Sequence, residues 1–488
     1  MRRTTRTVAL LVVLALVAAG CVRSERSLGV QVDALDEGET CLTPLEERDP
    51  AAGPVTLELW HALNAEAKTT LEDLAAQFNA EQDEVEVEVL SQGTTYPEVR
   101  QAYIQGIAGG SLPGLVHMDL NDLQVLIDTN TLRPGQECYD AEGLEPDVLP
   151  SVQSGLSSEG TYWPTLATVS TNILYYNKAH FARAGLDPED PPETLDEVLE
   201  ASRAIQSEAG IATPLSLLLS PGFMEYWVGG AGETLVNNAN GRDGLATEAT
   251  LDNPATIEVF EWLSTMADEG LVSPFNTGGI DQYLAVASQQ ASMLIETSTA
   301  STTIATLLGG GEVDTGGAAT PDVDLSAEDI VVGAAPFPGV EEPGQAQIGG
   351  GAFFMPASSP PEVQAAAWAF SRYMATEASQ VQWHTQGSYL PIVEGATEDP
   401  AFTEFWDSGL AGSLLEVATD QLLAVGADQP PPLVGPREDY GAILESALGQ
   451  VVRDGADPAA AAAEADAALT AALERYAEDN ADAPTGGG

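Results

Sequence analysis

The stretch from Val55 to Leu90 restricts the fold of this chain more than any other. Residues 55–60 read V-T-L-E-L-W, alternating apolar and polar, the period of a half-buried strand. Leu71, Leu74, Ala75 and Phe78 follow at the spacing of a helix with one apolar face. Residues 84–90, E-V-E-V-E-V-L, alternate again. Strand, helix and strand within about 35 residues imply a parallel pair joined by a right-handed crossover, hence an α/β fold. Ligands of open α/β sheets bind beyond the carboxyl ends of the strands. Trp60 and His61 stand at the first such end, and Tyr96 just past the second.

Elements of the same kind continue along the chain. A helix over about 98–107 ends at Gly109-Gly110, and a strand over 114–118 carries Asp119 at its tip, where a carboxylate can also cap the next segment. Residues 161–176 are strand-like with Ser170, Thr171 and Asn172 in the middle. Helices are predicted after Thr194, after Asn253-Pro254 and over about 280–290. A strand over 291–295 leads into Thr297, Ser298, Thr299, Ser301, Thr302 and Thr303 at a strand-to-helix junction. Free N–H groups and hydroxyls there suit an anion or a polyol, although capping accounts for most of them. Residues 309–328 read as a surface loop and 331–337 as a strand. From Ile348 to Ile392 a glycine-rich strand end, a helix from Pro361 and a tight turn presenting Tyr389 form one piece. Helices follow Arg437 and span about 457–478, and no internal repeat is present.

A length of 488 residues suffices for two or three domains with real cores. Lys and Arg number 17 against 75 Asp and Glu, a net charge of −58, and lysine occurs only at Lys68 and Lys178. Such a surface repels nucleic acid and anionic headgroups and suits high external salt. At the amino terminus Arg2, Arg3 and Arg6 precede an apolar run from Val8 to Ala19, the pattern of a signal peptide over 1–20. The ending A-A-G-C resembles a bacterial lipobox, which implies cleavage before Cys21 and lipid on its thiol. The mature protein would then be tethered by its acidic residues 21–53 to the extracytoplasmic face of the membrane; the alternative is an ordinary signal peptide with a chance cysteine. Residues 481–488 read as a flexible tail. Cys41 and Cys138 remain, and an even pair in an exported chain favours a disulfide. Without nearby histidines they make a poor zinc site, and no metal or cofactor is expected. Neither G-x-S-x-G nor H-E-x-x-H occurs, and His61, His117, His180 and His384 are scattered. An exported hydrolase is therefore disfavoured, and no residue is assigned a catalytic role.

Two runs are more specific. L-Y-Y-N-K-A-H-F-A-R-A-G-L-D-P (Leu174 to Pro188), and I-G-G-G-A-F-F-M followed by W-H-T-Q-G-S-Y-L-P-I, resemble the solute-binding proteins of carbohydrate-type ABC importers. Trp60-His61, and Trp383-His384 running into Y-L-P-I, resemble in particular the glycerol-3-phosphate-binding branch. The resemblance implies a two-lobed, type II periplasmic-binding-protein-like fold with a ligand cleft at a hinge. Lobe 1 would comprise 54–170 and 298–354, and lobe 2 171–297 and 355–480, with crossings near Ser170, Thr297 and Met355. It implies a monomer that hands a small solute to the membrane subunits of a permease. Carried over position by position, the ligand residues would be Tyr96, Asp119 (shortened from a glutamate), Ser170, Thr297 with Ser298, the N–H of Gly350, Tyr389 and Arg437, with Trp60 nearby. Arg437 would grip phosphate; the bland alternative is an ion pair with Glu438 or Asp439. Leu218 and Pro221 stand where the branch carries tryptophans, which leaves room for a larger headgroup, with Tyr226 or Trp227 either stacking on it or packing in the core. The implied ligand is glycerol-3-phosphate or a glycerophosphodiester. A di- or oligosaccharide is the alternative, and a receptor that only senses solute is a further one.

Overall fold

The computed structural model describes residues 38–275, 288–308, 331–344, 347–393 and 395–480, together with residues 35, 282, 285 and 286. The expected signal peptide, Cys21, most of the acidic tether, the loop over 309–328, much of the helix over 280–290 and the tail over 481–488 lie outside the described residues. In chain order the strands of the two large sheets are β1 (Val55–His61), β2 (Val85–Ser91), β3 (Leu115–Asp119), β4 (Leu132–Arg133), β5 (Leu166–Ser170), β6 (Asn172–Asn177), β7 (Leu215–Leu218), β8 (Val272–Phe275), β9 (Met293–Thr297), β10 (Val332–Pro336) and β11 (Gly349–Pro356).

The first sheet has the order β2-β1-β3-β11-β4, with β5 also paired to β11. β1 and β2 are parallel in register from Val55↔Val85 to His61↔Ser91. The helix Ala65–Glu81 crosses between them and buries Leu71, Leu74, Ala75 and Phe78, the face its spacing predicts. β11 runs antiparallel to both β3 and β5. The second sheet has the order β8-β7-β9-β6-β10, in which β6 is antiparallel to β9 and β10. Each sheet carries its own core: Leu57, Phe78, Met118, Phe354 and Trp368 around the first, Leu217, Trp227, Phe260, Ile295 and Leu469 around the second. These are the two lobes.

The chain changes lobes within one residue at Thr171, the only residue between β5 and β6. A return crossing follows β9: the Ser298 amide donates to the Thr171 carbonyl at 2.7 Å, and the Thr171 amide donates to Ser298 Oγ at 3.3 Å. Gln421, buried in the helix Leu410–Ala424, joins these crossings to a third. Its Nε2 donates to Thr171 Oγ1 at 2.6 Å and to the Asn172 carbonyl at 2.8 Å, while its Oε1 accepts from the Phe337 amide at 2.6 Å.

Two expected boundaries need correction. β10, expected in lobe 1, pairs with β6 in the second sheet, so the third crossing falls between Pro336 and Gly349, ahead of Met355. Residues 355–406, expected in lobe 2, stay with the first core, and the helix Leu410–Ala424 sits at the hinge, with Leu414, Leu415, Ala418 and Leu422 in the first core and Gln421 bonded to Asn172 and Phe337. Phe370 of the helix Pro361–Met374 packs edge-on against Phe78 at 5.3 Å, and Trp368 against Tyr139 at 4.9 Å. Within that carboxyl-terminal part, the last two helices, Arg437–Asp454 and Pro458–Asn480, pack on the second core. Cys41 and Cys138 are joined as a disulfide with a Cα–Cα distance of 5.3 Å, which fixes the segment before β1 to the helix Gly135–Ala141.

Candidate functional site

On the first lobe the site grows from the end of β3. Asp119 closes that strand, and its Oδ1 accepts the Asn121 amide at 3.0 Å, so it also heads the turn that follows. Burial pushes its carboxyl up, against the opposing pull of Arg437 and Arg100. Tyr96 is the first residue of the helix Tyr96–Gly109, whose start is fixed by a reciprocal capping box between Thr95 and Glu98. Its ring lies 5.8 Å from that of His117, and burial, then Tyr389 and Asp119 beside it, push its hydroxyl well above the usual range. Tyr389 stacks on Trp383 with centroids 4.9 Å apart and planes 9° from parallel. Burial raises its hydroxyl to about 12.

The turn carrying Tyr389 is held by His384. The imidazole Nδ1 donates to the Tyr389 carbonyl at 2.8 Å, and Nε2 accepts from the Trp406 indole at 3.0 Å. These two partners require the neutral Nδ1–H tautomer, and burial lowers its pKa to about 4.

On the second lobe the helix Pro221–Gly230 buries Phe223, Met224, Trp227 and Val228, and among them Glu225 at 3% exposure. A carboxylate so placed needs a cation. Arg437, the first residue of the helix Arg437–Asp454, donates from Nη1 to Glu225 Oε1 at 2.8 Å, and its guanidinium lies 4.9 Å from the centre of the Tyr440 ring. Burial opposes the charge on Arg437, but Glu225, Tyr440 and Asp119 together outweigh it and keep the guanidinium firmly protonated. Burial likewise pushes Glu225 up against the pull of Arg437.

The two lobes meet across this group. A Cβ at Gly349 would collide with the Tyr226 hydroxyl, and one at Gly351 with the Met118 carbonyl, the Tyr96 hydroxyl and His117 Nε2. Arg100 pairs with Asp122 at 2.6 Å and reaches Glu438 of the opposite lobe at 3.6 Å. A cavity of about 180 Å³ opens beside Tyr96 and Tyr389, lined also by Asn64, Thr299, Thr302 and Thr303.

Tyr96, Asp119, Tyr389 and Arg437 are thus assembled around one cleft, with Ser170 beside it as the register partner of Gly349. One expectation shifts, and three other residues gain a structural account. Ser298 is fully buried with its hydroxyl engaged by the Thr171 amide, so it serves the hinge instead of the cleft. Gly350 adopts φ +96°, and a side chain there would strike the Thr168 carbonyl, so strand pairing is sufficient reason for glycine. Trp60 lies on the alternate face of β1 from buried His61. Trp227 is packed against Trp262 and Phe337 and donates to the Pro338 carbonyl at 3.0 Å, so it is a core residue and no stacking platform. The hydroxyl of Thr297 accepts from that of Thr299 at 3.3 Å. Arg437 pairs with Glu225, not with its neighbours Glu438 or Asp439. Glu225, Tyr440 and Arg100 were not anticipated; the available signal was one carboxylate inside the apolar run P-G-F-M-E-Y-W-V-G-G. Among the described residues no group of three or more His, Cys, Asp or Glu is arranged to hold a metal ion.

A family model described as bacterial extracellular solute-binding protein matches residues 73–407. The sn-glycerol-3-phosphate-binding periplasmic protein UgpB of Brucella melitensis is 24% identical over 363 residues, covering 72% of this chain and 78% of that protein. The GacH receptor of Streptomyces glaucescens, solved unliganded and with acarbose, superposes with a TM-score of 0.67 at 21% identity, over 87% of this chain and 99% of that one. UgpB from Mycobacterium tuberculosis in complex with glycerophosphocholine superposes with a TM-score of 0.67 at 19% identity, again over 87% and 99%. With a family match across more than half of its length and a two-lobed fold closed around a polar cleft, the chain belongs to the bacterial extracellular solute-binding proteins.

Proposed function

We propose that this protein captures a glycerophosphate solute, either glycerol-3-phosphate or a glycerophosphodiester, for delivery to the membrane subunits of an ABC importer. The observation that carries the reading is Arg437: a guanidinium in the cleft of a chain of net charge −58, facing Asp119 of the opposite lobe. Arginine matches phosphate oxygens in pairs, and a carboxyl group at Asp119 suits glycerol hydroxyls. The relatives named for sn-glycerol-3-phosphate and the complex with glycerophosphocholine support the same class. Leu218 and Pro221, standing where the resemblance leads one to expect tryptophans, would admit a larger headgroup, which favours a diester. Lipid attachment at Cys21 would keep the protein beside its permease as a monomer.

A sugar ligand is the second reading, favoured by one observation: Arg437 already has a carboxylate partner in Glu225. The acarbose complex of GacH supports it at the level of fold. Calorimetric titration with glycerol-3-phosphate, glycerophosphocholine, maltose and trehalose separates the two. Micromolar or tighter binding of a phosphate compound is expected; tight binding of a neutral sugar alone would overturn the glycerophosphate reading.

A further inference from the structure

Charge around the cleft does not balance. Two guanidinium groups reach it. Arg100 is committed to Asp122 at 2.6 Å, and Arg437 to Glu225 at 2.8 Å. Both of those carboxylates are almost wholly buried, at 1% and 3% side-chain exposure. Asp119 is a third carboxylate in the same group, and its hydrogen-bond partner is the Asn121 amide. From its own turn Asp119 faces Asp122, and from the helix Tyr96–Gly109 it faces Arg100 and Tyr96. From the turn after Gly387 it faces Tyr389, and from the second lobe Arg437, Glu225 and Tyr226. Glu438, 87% exposed, adds a further negative charge at the rim. Two buried carboxylates and the half-buried Asp119 thus oppose two guanidinium groups before any ligand arrives. A phosphate group set down against Arg437 brings another negative charge into a region walled by tyrosines, where charge is poorly screened.

Resting on the glycerophosphate reading, we propose that Asp119 takes up a proton when an anionic solute binds, so that the cleft selects ligands by their net charge. A proton leaves bulk solvent and an O–H bond forms on the Asp119 carboxylate. The neutral carboxyl then donates a hydrogen bond to the ligand where the carboxylate would repel it. Asp119 is the member of the group without a guanidinium partner at hydrogen-bond distance, which makes it the one whose protonation breaks no ion pair. A zwitterionic diester carries its own cation and needs less proton uptake than an anionic diester of the same backbone.

The test compares glycerophosphoglycerol, an anionic diester, with zwitterionic glycerophosphocholine. Neither phosphodiester titrates near neutral pH, so any proton taken up enters the protein. Calorimetry in buffers of different ionisation enthalpy reads the proton count. For glycerophosphoglycerol we expect approaching one proton per ligand and an affinity that rises up to about tenfold for each unit fall in pH above the free Asp119 pKa. For glycerophosphocholine the uptake should be smaller. Asp119→Asn should abolish the uptake and flatten the pH profile; carboxyl 13C NMR of the native protein with and without ligand reads the same group should that variant not fold. Binding of the anionic diester with no proton uptake, or uptake that persists in Asp119→Asn, overturns the proposal and leaves the glycerophosphate reading standing. Failure of every phosphate compound to bind overturns both.

Discussion

Arg437 and Glu225 form a buried pair whose two members cannot be removed singly without consequence. Arg437→Ala leaves the Glu225 carboxylate buried without a counter-charge, and the expected stability loss is ~3–5 kcal/mol by urea denaturation. Affinity for a phosphate ligand should fall by ~1.5–3 kcal/mol in the same variant. Replacing both, as Arg437→Met with Glu225→Gln, should return most of the stability and none of the affinity; restored affinity would remove Arg437 from the ligand's contacts. Buried histidines set the acid limit. Burial holds His61 at about 4, His117 at about 3 and His384 at about 4, all below their unfolded value near 6.5. Between about pH 6.5 and 4 the unfolded chain therefore binds more protons at these sites, and the stability they contribute is lost as pH falls through that window. Asp122 opposes them: burial raises it to about 6, so its contribution is present at low pH and is lost as pH rises from about 4 through 6. Asp119, Asp128, Glu137 and Glu225, which burial also raises, act in the same direction as Asp122, so the histidine contribution is read separately, as a loss on acidification below about 6.5 that should disappear in variants replacing His61 or His384. For His384, 15N NMR should show the Nδ1–H tautomer persisting to near pH 4; titration near 6.5 would contradict the clamp between Trp406 and the Tyr389 carbonyl.

Elements join at Gln421, where one amide serves three crossing segments. Gln421→Leu would leave the Phe337 amide and the Asn172 carbonyl without that partner in a buried place, at ~1–3 kcal/mol for each group left unsatisfied. The lowered midpoint should be accompanied by a wider spread of lobe orientations in small-angle scattering; a variant as stable and as compact as the native protein would deny Gln421 this role. The sequence carried the elements better than their partners. Strand alternation and the Leu71–Phe78 spacing announce β1, β2 and the helix between them because one buried face leaves a periodic mark. The same logic finds the helix Pro361–Met374 but not its lobe, since an apolar face says that it is buried and not against which sheet. The site divides similarly. Tyr96, Asp119, Tyr389 and Arg437 sat at strand ends, helix starts and a tight turn, where open sheets bind ligands. Ser298 sat in the same kind of place, yet its hydroxyl went to the hinge. Glu225 and Gln421 act through contacts more than 200 residues away in the chain, which no local pattern encodes.

At the scale of the whole molecule, 75 acidic residues against 17 basic ones put every exposed carboxylate in the field of others. Thermal unfolding should shift to higher temperature between low and molar NaCl, as screening shortens that repulsion; a midpoint indifferent to salt would show the surface charge to be energetically idle. The strand order of the first sheet has a consequence for synthesis. β11 lies between β3 and β4 and also binds β5, yet it is made long after all of them, with most of the second lobe intervening. A nascent chain therefore presents the hydrogen-bonding edges of β3 and β5 unpaired until translation has passed Pro356. Fragments that stop short of Gly349 should aggregate, however complete their amino-terminal half appears, and the growing polypeptide has to be kept from pairing with its neighbours until its own late strand arrives.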